Sequence, residues 1–384
     1  MSRLRPLYGS RPLADWVRAG GRPARRVPAH SLRLAWHAHW FEHNWRTASA
    51  RLAACPLPDD PVFILGFWRS GTTVLHELLA AATGWTTPRT WQCFNPSTCF
   101  LMGPPARETA VERPMDRGRI ATFGPQEDEL ALLLLGEPSL YRAFIDPRRL
   151  AECARHAKAE SQATTATATA TATAAPSELP RWQMFLRGIA SVPAAPSVPA
   201  ALPAPAPPSA RLLLKSPNHT LRLPLLRATF PRARFIWIGR DSGEVLASNV
   251  RMWRTMMERY ALWTMPPGEL EPFLLELLGA CARALERCLD ELTREQLLWI
   301  DFAGLTAQPR PVLETVLRFL ARDASPGSAL REPGGIERRV AHALEAIPIH
   351  AGARAEPPID ARAQVFERAM SAARRHFGPG LEGG

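Results

Sequence analysis

The chain of 384 residues carries 47 basic and 36 acidic side chains, a formal net charge of +11, and 46% of its residues are hydrophobic. This length allows one large domain or two modest ones, and no apolar run approaches the ~20 residues that a membrane-spanning helix needs. The six cysteines contain no C-x-x-C pair, which favours a cytoplasmic protein without a disulfide framework.

The N-terminal segment, residues 1–58, is basic and interrupted by prolines, and we predict short helices there. Residues 1–51 contain ten arginines against two acids. Because Trp36, Trp40 and Trp45 are interleaved with this charge, peripheral contact with the inner face of a membrane is the functional interpretation. The alternative is a solvated arginine-rich face, and we expect no nucleic-acid partner.

Residues 39–43 within this segment read His-Trp-Phe-Glu-His, the H-x-x-E-H spacing of one class of zinc enzymes. On a helix, His39 and His43 share a face and could bind zinc, with Glu42 as the base. No third ligand stands out downstream. A zinc hydrolase is therefore a minor alternative, and we expect no metal.

The most informative stretch is residues 62–73, which read Val-Phe-Ile-Leu-Gly-Phe-Trp-Arg-Ser-Gly-Thr-Thr. A short apolar run predicts a buried strand, and a glycine-bounded turn leads into an amphipathic helix. The N-terminus of such a helix binds phosphate or sulfate through its free N–H groups and its dipole. Gly66 and Gly71 have the spacing of a nucleotide-hydrolysing P-loop. The lysine of that loop is missing, because Thr72 follows the second glycine and the charge lies at Arg69 instead.

An acidic motif and two low-complexity inserts follow downstream. Residues 125–129 read Pro-Gln-Glu-Asp-Glu and predict the first turn of a helix. The stretches 159–178 and 189–210, rich in alanine with threonine or proline, contain no packable pattern and predict flexible inserts. Between them, Trp182 and Phe185 predict a short amphipathic helix that docks on the core.

Further apolar runs predict buried strands, separated by helical segments, at residues 211–215, 234–238 and 297–301. Strands that alternate with helices form a parallel sheet, and ligands bind at the carboxyl ends of its strands. Arg69, Lys215 and Arg240 each follow a strand, so we expect them at one edge of the sheet. Lys215 is one of only two lysines in a chain that otherwise uses arginine, which favours a chemical reason for its presence.

The turn at residues 69–73, Arg-Ser-Gly-Thr-Thr, resembles the 5′-phosphosulfate loop of sulfotransferases that use 3′-phosphoadenosine 5′-phosphosulfate (PAPS). Arg240 at a strand end and Ser248 eight residues later resemble the pair with which that family holds the 3′-phosphate. Arginine offers a bidentate charged fork and serine a hydroxyl from the following helix. Similarity to bacterial sulfotransferases acting on hydroxylated small molecules or lipids extends to Thr90–Pro96, Arg113–Asp116, Pro125–Glu129 and Lys215–Thr220.

The resemblance implies an α/β fold, a P-loop-like three-layer sandwich with a central parallel sheet flanked by helices, in a domain at residues 59–384. It implies transfer of a sulfuryl group from PAPS to a hydroxyl or amine of an apolar small-molecule or lipid acceptor, with no metal required. Arg69 and Lys215 are the implied cations at the leaving group. The implied donor-binding residues are Arg69, Ser70, Gly71, Thr72, Thr73, Arg240 and Ser248.

The residue that removes the acceptor's proton is open among four candidates: Glu127, Asp128, Glu129 and His219. Acids in the first turn of a helix also complement its dipole without any catalytic role. His219 has a suitable unperturbed pKa and lies just past the Lys215 strand, but it could equally cap the next helix.

One segment departs from the family's pattern. Residues 301–305 read Asp-Phe-Ala-Gly-Leu, whereas such sulfotransferases commonly carry Tyr-Glu-Asp-Leu. A hydroxyl and both carboxylates are missing, which puts in doubt how the nucleotide end of the site is oriented.

The second alternative function is a P-loop-like nucleotide-binding protein or kinase.

Overall fold

A four-stranded parallel sheet forms the centre of the molecule. In spatial order its strands are β4 (Leu213–Lys215), β1 (Val62–Leu65), β5 (Arg234–Gly239) and β6 (Leu297–Asp301). The chain runs from β1 to β4 on one side and then crosses to β5 on the other. This reversal opens a crevice at the carboxyl ends of the strands, where open α/β sheets bind their ligands.

The central strands are buried on both faces, as their continuous apolar sequences predict. Phe63 and Leu65 belong to a large hydrophobic cluster on one face, and Val62 and Ile64 belong to a smaller cluster on the other. Because side chains alternate along a strand, one four-residue run supplies both cores. The computed structural model describes residues 31–113, 115, 118–162, 179–191, 211–323, 328, 330–349 and 361–378.

Helices cover both faces of the sheet and complete the three layers. The smaller cluster is formed with α2 (Thr72–Thr83), α11 (Phe302–Ala307), α12 (Pro309–Ala321) and α13 (Gly335–Ala346). The larger cluster takes residues from α1 (Ser31–Leu52), α3 (Thr90–Cys93), α4 (Cys99–Met102), α5 (Glu129–Leu135), α6 (Leu150–Gln162), α7 (Pro180–Ser191), α8 (Leu223–Thr229), α9 (Ser242–Tyr260), α10 (Leu270–Glu291) and α14 (Ala361–Phe377). The predicted α/β sandwich is confirmed.

Shorter elements complete the described structure. Three 3-10 helices lie at Leu140–Phe144, Pro147–Arg149 and Pro217–Thr220. An antiparallel hairpin joins β2 (Ala110–Glu112) to β3 (Arg119–Ala121). These strands of three residues are too short to show alternation in the sequence, and sequence patterns did not predict them or α13.

The two predicted inserts are shorter than the sequence pattern indicated. Helix α6 continues through residues 159–162, with Ser161 fully buried, and α7 continues through 189–191, with Ile189 buried. Neighbouring helices provide packing that a local pattern does not show. The remainder of each predicted insert, 163–178 and 192–210, lies outside the described residues.

Helix α1 packs onto the same core as the rest of the domain. Phe41 and Trp45 are buried in the larger cluster, whereas Trp40 is 43% exposed. Residues 1–30, which hold most of the N-terminal arginines, lie outside the described residues, so the separate status of residues 1–58 stays a prediction. Within the described part of the chain, no helix combines the length and apolar character needed to cross a membrane.

Candidate active site

The loop between β1 and α2 depends on two glycines. Gly66 and Gly71 have φ angles of +151° and +102°, in the region that favours glycine. A Cβ on Gly66 would lie 2.8 Å from the carbonyl oxygen of Ile238, and one on Gly71 would lie 2.2 Å from the ring of Phe302. The hydroxyl of Thr220 accepts from Gly66 N and donates to Gly66 O, both at 3.1 Å, which fixes the start of the loop.

The loop ends at an uncapped helix N-terminus. Helix α2 begins at Thr72 after Gly71, which provides no side-chain cap. Ser70, which could otherwise cap, turns its hydroxyl back to the carbonyl of Phe67 at 2.8 Å. An uncapped N-terminus presents free N–H groups and positive dipole, which suit a phosphate or sulfate.

Arg69 and Arg240 meet beside this loop. Arg69 has φ 68°, the one positive φ outside glycine among the described residues, and its Nε donates to Ser248 Oγ at 3.1 Å. Arg240 Nη1 donates to the Arg69 carbonyl at 3.1 Å, and its Nε donates to Glu244 Oε2 at 3.0 Å. The structure therefore brings together the loop cation and both groups predicted for the 3′-phosphate.

Lys215 lies on the other side of the loop. It ends β4, and its pairing with Ile64 of β1 sets it beside the first turn of α2. Its side chain is 5% exposed, and Nζ lies 3.4 Å from both Thr73 Oγ1 and Glu127 Oε2. A buried ammonium at a helix N-terminus adds positive charge where an anion would bind.

Glu127 connects Lys215 to the loop through two aromatic side chains. Tyr141 OH donates to Glu127 Oε2 at 3.1 Å and accepts from Trp68 Nε1 at 3.1 Å. Burial, together with the negative charges of Glu127 and Glu129, raises the pKa of Tyr141 well above its ordinary value. Tyr141 therefore stays a neutral donor to the carboxylate.

Asp128 and His219 form an enclosed pair with no exposed surface. His219 Nε2 lies 3.0 Å from both Asp128 oxygens, and Trp182 Nε1 donates to Oδ2 at 2.6 Å. Burial alone raises the pKa of Asp128, but the charge of His219 and the hydrogen bonds from His219 and Trp182 outweigh it and lower that pKa. Asp128 is therefore an ionised group inside the protein.

Glu129 is paired as deeply. Arg222 donates to both of its oxygens, at 2.6 and 3.2 Å, and Arg222 Nε also donates to Glu160 Oε1 at 3.0 Å. Helix α5 begins at Glu129, so the three predicted acids do not share a first turn: Glu127 precedes the helix and Asp128 is at its N-cap position.

The sulfotransferase family matches residues 61–326, which is more than half of the chain. The chain belongs to the sulfotransferase family. Membership implies a PAPS donor, and the predicted resemblance is confirmed. Kinase and zinc-hydrolase functions are not favoured by this match.

Two relatives carry a more specific name. The omega-hydroxy-beta-dihydromenaquinone-9 sulfotransferases Stf3 of Mycobacterium bovis and Mycobacterium tuberculosis are each 30% identical over 225 residues. The match covers 55% of this chain and 50% of each relative, so the chain spans about half the length of the curated relatives it matches.

Two solved structures share the fold. Sulfotransferase STF9 from Mycobacterium avium aligns with a TM-score of 0.57 at 19% identity, covering 92% of this chain and 84% of that one. Sulfotransferase STF1 from M. tuberculosis aligns with a TM-score of 0.52 at 13% identity, covering 96% and 90%. At these identities the likeness shows the fold alone.

The segment that departs from the family pattern borders a cavity of about 470 Å³. In this segment, the ring of Phe302 lies 4.8 Å from the Arg240 guanidinium carbon and packs against Gly71. Asp301 pairs with Arg374 of α14 at 2.9 Å. The aromatic ring thus supports Arg240 by a cation–π contact where the family commonly has a tyrosine. The other cavity-lining residues include Gly239, Asp241, Glu244, Trp299, Glu367 and Ser371.

The H-x-x-E-H segment lies on α1. Glu42 is ion-paired with Arg181 at 3.0 Å, and the side chain of His39 lies outside the described ones. Among the described residues there is no group of three or more candidate metal ligands.

Sequence reasoning did not predict three side chains that contact the candidate site residues: Trp68, Tyr141 and Glu244. Trp68 stood inside the recognised loop, and its indole N–H was an available signal. Tyr141 lies in a 3-10 helix without a motif, and Glu244 occupies a helix first turn where acids are ordinary. Their roles depend on contacts across the fold.

Proposed function

We propose that this sulfotransferase moves a sulfuryl group from PAPS to a hydroxyl of an apolar small-molecule or lipid acceptor. The observation that carries the proposal is the meeting of Arg69, Lys215 and Arg240 at the carboxyl edge of one sheet. An accessible carboxylate, Glu127, lies 3.4 Å from the Lys215 ammonium. Anion-binding groups and a base are thus assembled at one place.

The residues present fit the donor. Gly66 and Gly71 allow the tight turn of the loop, because a Cβ on either would meet Ile238 O or the Phe302 ring, and the uncapped start of α2 follows this turn. We assign Arg69, Ser70, Gly71, Thr72 and Thr73 to the 5′-phosphosulfate, and Arg240 with Ser248 to the 3′-phosphate. When bound, PAPS supplies the sulfuryl group and a phosphate leaving group.

Lys215 and Arg69 supply positive charge where the leaving group becomes more negative. Fixed charges of this kind stabilise the transition state because they need no reorganisation. Glu127 accepts the proton of the acceptor hydroxyl, and its contacts with Lys215 and Tyr141 hold the carboxylate in place. His219 has no exposed surface and bonds to Asp128, so we assign it to the fold.

The acceptor class follows from the relatives. Two of them are named for a hydroxylated menaquinone derivative, and we infer a hydroxylated lipid or quinone acceptor for this chain, with an amine as the less supported choice. The exposed Trp40 on α1 and the basic N-terminal segment support peripheral contact with a membrane, from its cytoplasmic face.

Calorimetric titration with adenosine 3′,5′-bisphosphate (PAP) tests the donor site. We expect magnesium-independent binding to the wild type and a loss of about tenfold or more in Arg69→Ala and in Arg240→Ala. Arg251→Ala, an exposed arginine on α9, is the matched control and should bind as the wild type does. Binding of ATP–magnesium in place of PAP would return the loop to the nucleotide-hydrolase class.

Acceptor identity needs a transfer assay. Purified protein, sulfur-labelled PAPS and a panel of hydroxylated quinones, hydroxylated isoprenoids and phenols should show transfer to one class. Transfer only to soluble polar hydroxyls would contradict the lipid assignment.

A further inference from the structure

The groups assigned to the 3′-phosphate already have partners inside the protein. Arg240 Nε donates to Glu244 Oε2 at 3.0 Å, and Nη2 lies 2.9 Å from the same oxygen. The Ser248 hydroxyl accepts from Arg69 Nε at 3.1 Å. A phosphate on the same edge of Arg240 would need the Nε and Nη2 atoms that contact Glu244, whereas the Ser248 hydroxyl, which accepts from Arg69, can still donate to it.

Building on the proposed function, we propose that Glu244 is an internal competitor of the 3′-phosphate. Its carboxylate occupies the fork of Arg240, and a nucleotide with a 3′-phosphate displaces it. Glu244 therefore weakens binding of such nucleotides selectively. It sets the affinity of the site and favours release of the spent nucleotide, a step that limits turnover in many enzymes.

Replacement of the Glu244 carboxylate by the 3′-phosphate on Arg240 is favourable, but breaking the first contact reduces the binding energy of the nucleotide. A phosphate monoester carries about −1.5 to −2 charge at neutral pH, against −1 for the carboxylate, so it is the stronger partner of a guanidinium. The net gain is the difference between two charge-assisted interactions rather than the whole of one. An Arg240 guanidinium without a carboxylate partner would give the phosphate a larger binding energy.

Arg240 has two further contacts besides Glu244. Its Nη1 donates to the Arg69 carbonyl, and its guanidinium stacks on the Phe302 ring at 4.8 Å. These two contacts fix the plane of the guanidinium independently of the carboxylate. Removing the charge of Glu244 should therefore make Nε and Nη2 of Arg240 available to a phosphate without moving the guanidinium.

The displaced carboxylate has space to move into. Glu244 and Arg240 both line the cavity of about 470 Å³, and their side chains are 22% and 14% exposed. Asp241, which lines the same cavity, accepts from the backbone N–H of Glu244 at 2.9 Å, and among the described residues it has no bond to Arg240. A neighbouring carboxylate without a bond to Arg240 is thus available for comparison.

The test is calorimetric titration of the wild type, Glu244→Gln and Asp241→Asn with PAP and with adenosine 5′-monophosphate, which lacks the 3′-phosphate. We expect Glu244→Gln to bind PAP on the order of tenfold more tightly, because the phosphate no longer has to displace a charged partner from Arg240. Its affinity for the monophosphate should change by less than about twofold. Asp241→Asn removes a nearby charge that does not contact Arg240 and keeps a good N-cap, so its gain in PAP affinity should stay below about twofold.

Unchanged or weaker PAP binding by Glu244→Gln would overturn the proposal and make Glu244 a support for Arg240. Glu244→Ala, with the same expected direction, guards against an effect specific to glutamine. Stopped-flow displacement should show the gain as slower PAP release. A wild type that does not bind PAP would remove the donor site itself, a result distinct from a wild type that binds PAP with no gain in Glu244→Gln.

Discussion

Glu127 and its two neighbours in sequence, Asp128 and Glu129, occupy contrasting environments. The Glu127 side chain is 18% exposed and shares one oxygen between Lys215 and Tyr141. Asp128 and Glu129 have no exposed surface, and each is closed in a pair with a basic side chain. A carboxylate that water and an acceptor can reach can exchange partners during a reaction, whereas an enclosed ion pair serves the fold.

The largest expected effect is the loss of stability when an enclosed ion pair is broken. Glu129→Ala leaves Arg222 buried without its bidentate partner, and we expect the free energy of unfolding to fall by about 3–5 kcal/mol. Urea denaturation followed by circular dichroism measures it. Glu152→Ala, which removes an exposed ion pair with Arg149, is the control and should cost less than about 1 kcal/mol. Equal losses in the two variants would contradict the comparison.

Substitution of the accessible Glu127 should lower the rate of transfer and leave the stability unchanged. Glu127→Gln keeps the shape of the side chain and removes the base, so we expect turnover to fall on the order of 10²-fold or more. PAP affinity and the urea midpoint should stay at their wild-type values. Loss of stability without loss of turnover would mean that Glu127 has a structural role, as Asp128 and Glu129 do.

A smaller effect is expected one contact away. Tyr141→Phe removes one donor to the Glu127 carboxylate, and we expect turnover to fall by about tenfold. Tyr260→Phe makes the same chemical change at a buried tyrosine of α9 and should leave turnover unaltered. Unchanged turnover in Tyr141→Phe would mean that Tyr141 only packs.

The smallest effect is the acid dependence of the enclosed pair. The pKa of Asp128 is lowered in the folded protein, so its stabilisation is fully present above the unfolded value, about 3.9, and is lost as the pH falls through the folded pKa. We expect the stability difference between wild type and Asp128→Asn to shrink between neutral pH and the acid range. Glu160, whose pKa is also lowered, is present in both proteins and cancels. A difference that is constant with pH would contradict the assignment.

Local pattern was sufficient for much of the fold. The apolar runs at β1, β4, β5 and β6 predicted the buried strands, and their alternation with helices predicted the parallel sheet. The low-complexity stretches were less well delimited, because burial of Ser161 and Ile189 depends on neighbours distant in sequence. Local periodicity carries no information about such neighbours.

The sequence by itself determined the family, and it predicted the glycine turn and the cations beside it. A glycine turn between a strand and a helix has few backbone solutions, and its chemistry follows from local geometry. Only the tertiary structure decided which acid faces the site, because Glu127, Asp128 and Glu129 differ in the partners that other segments bring to them. The same holds for Glu244 and Arg240, since the fold decides which carboxylate reaches the guanidinium.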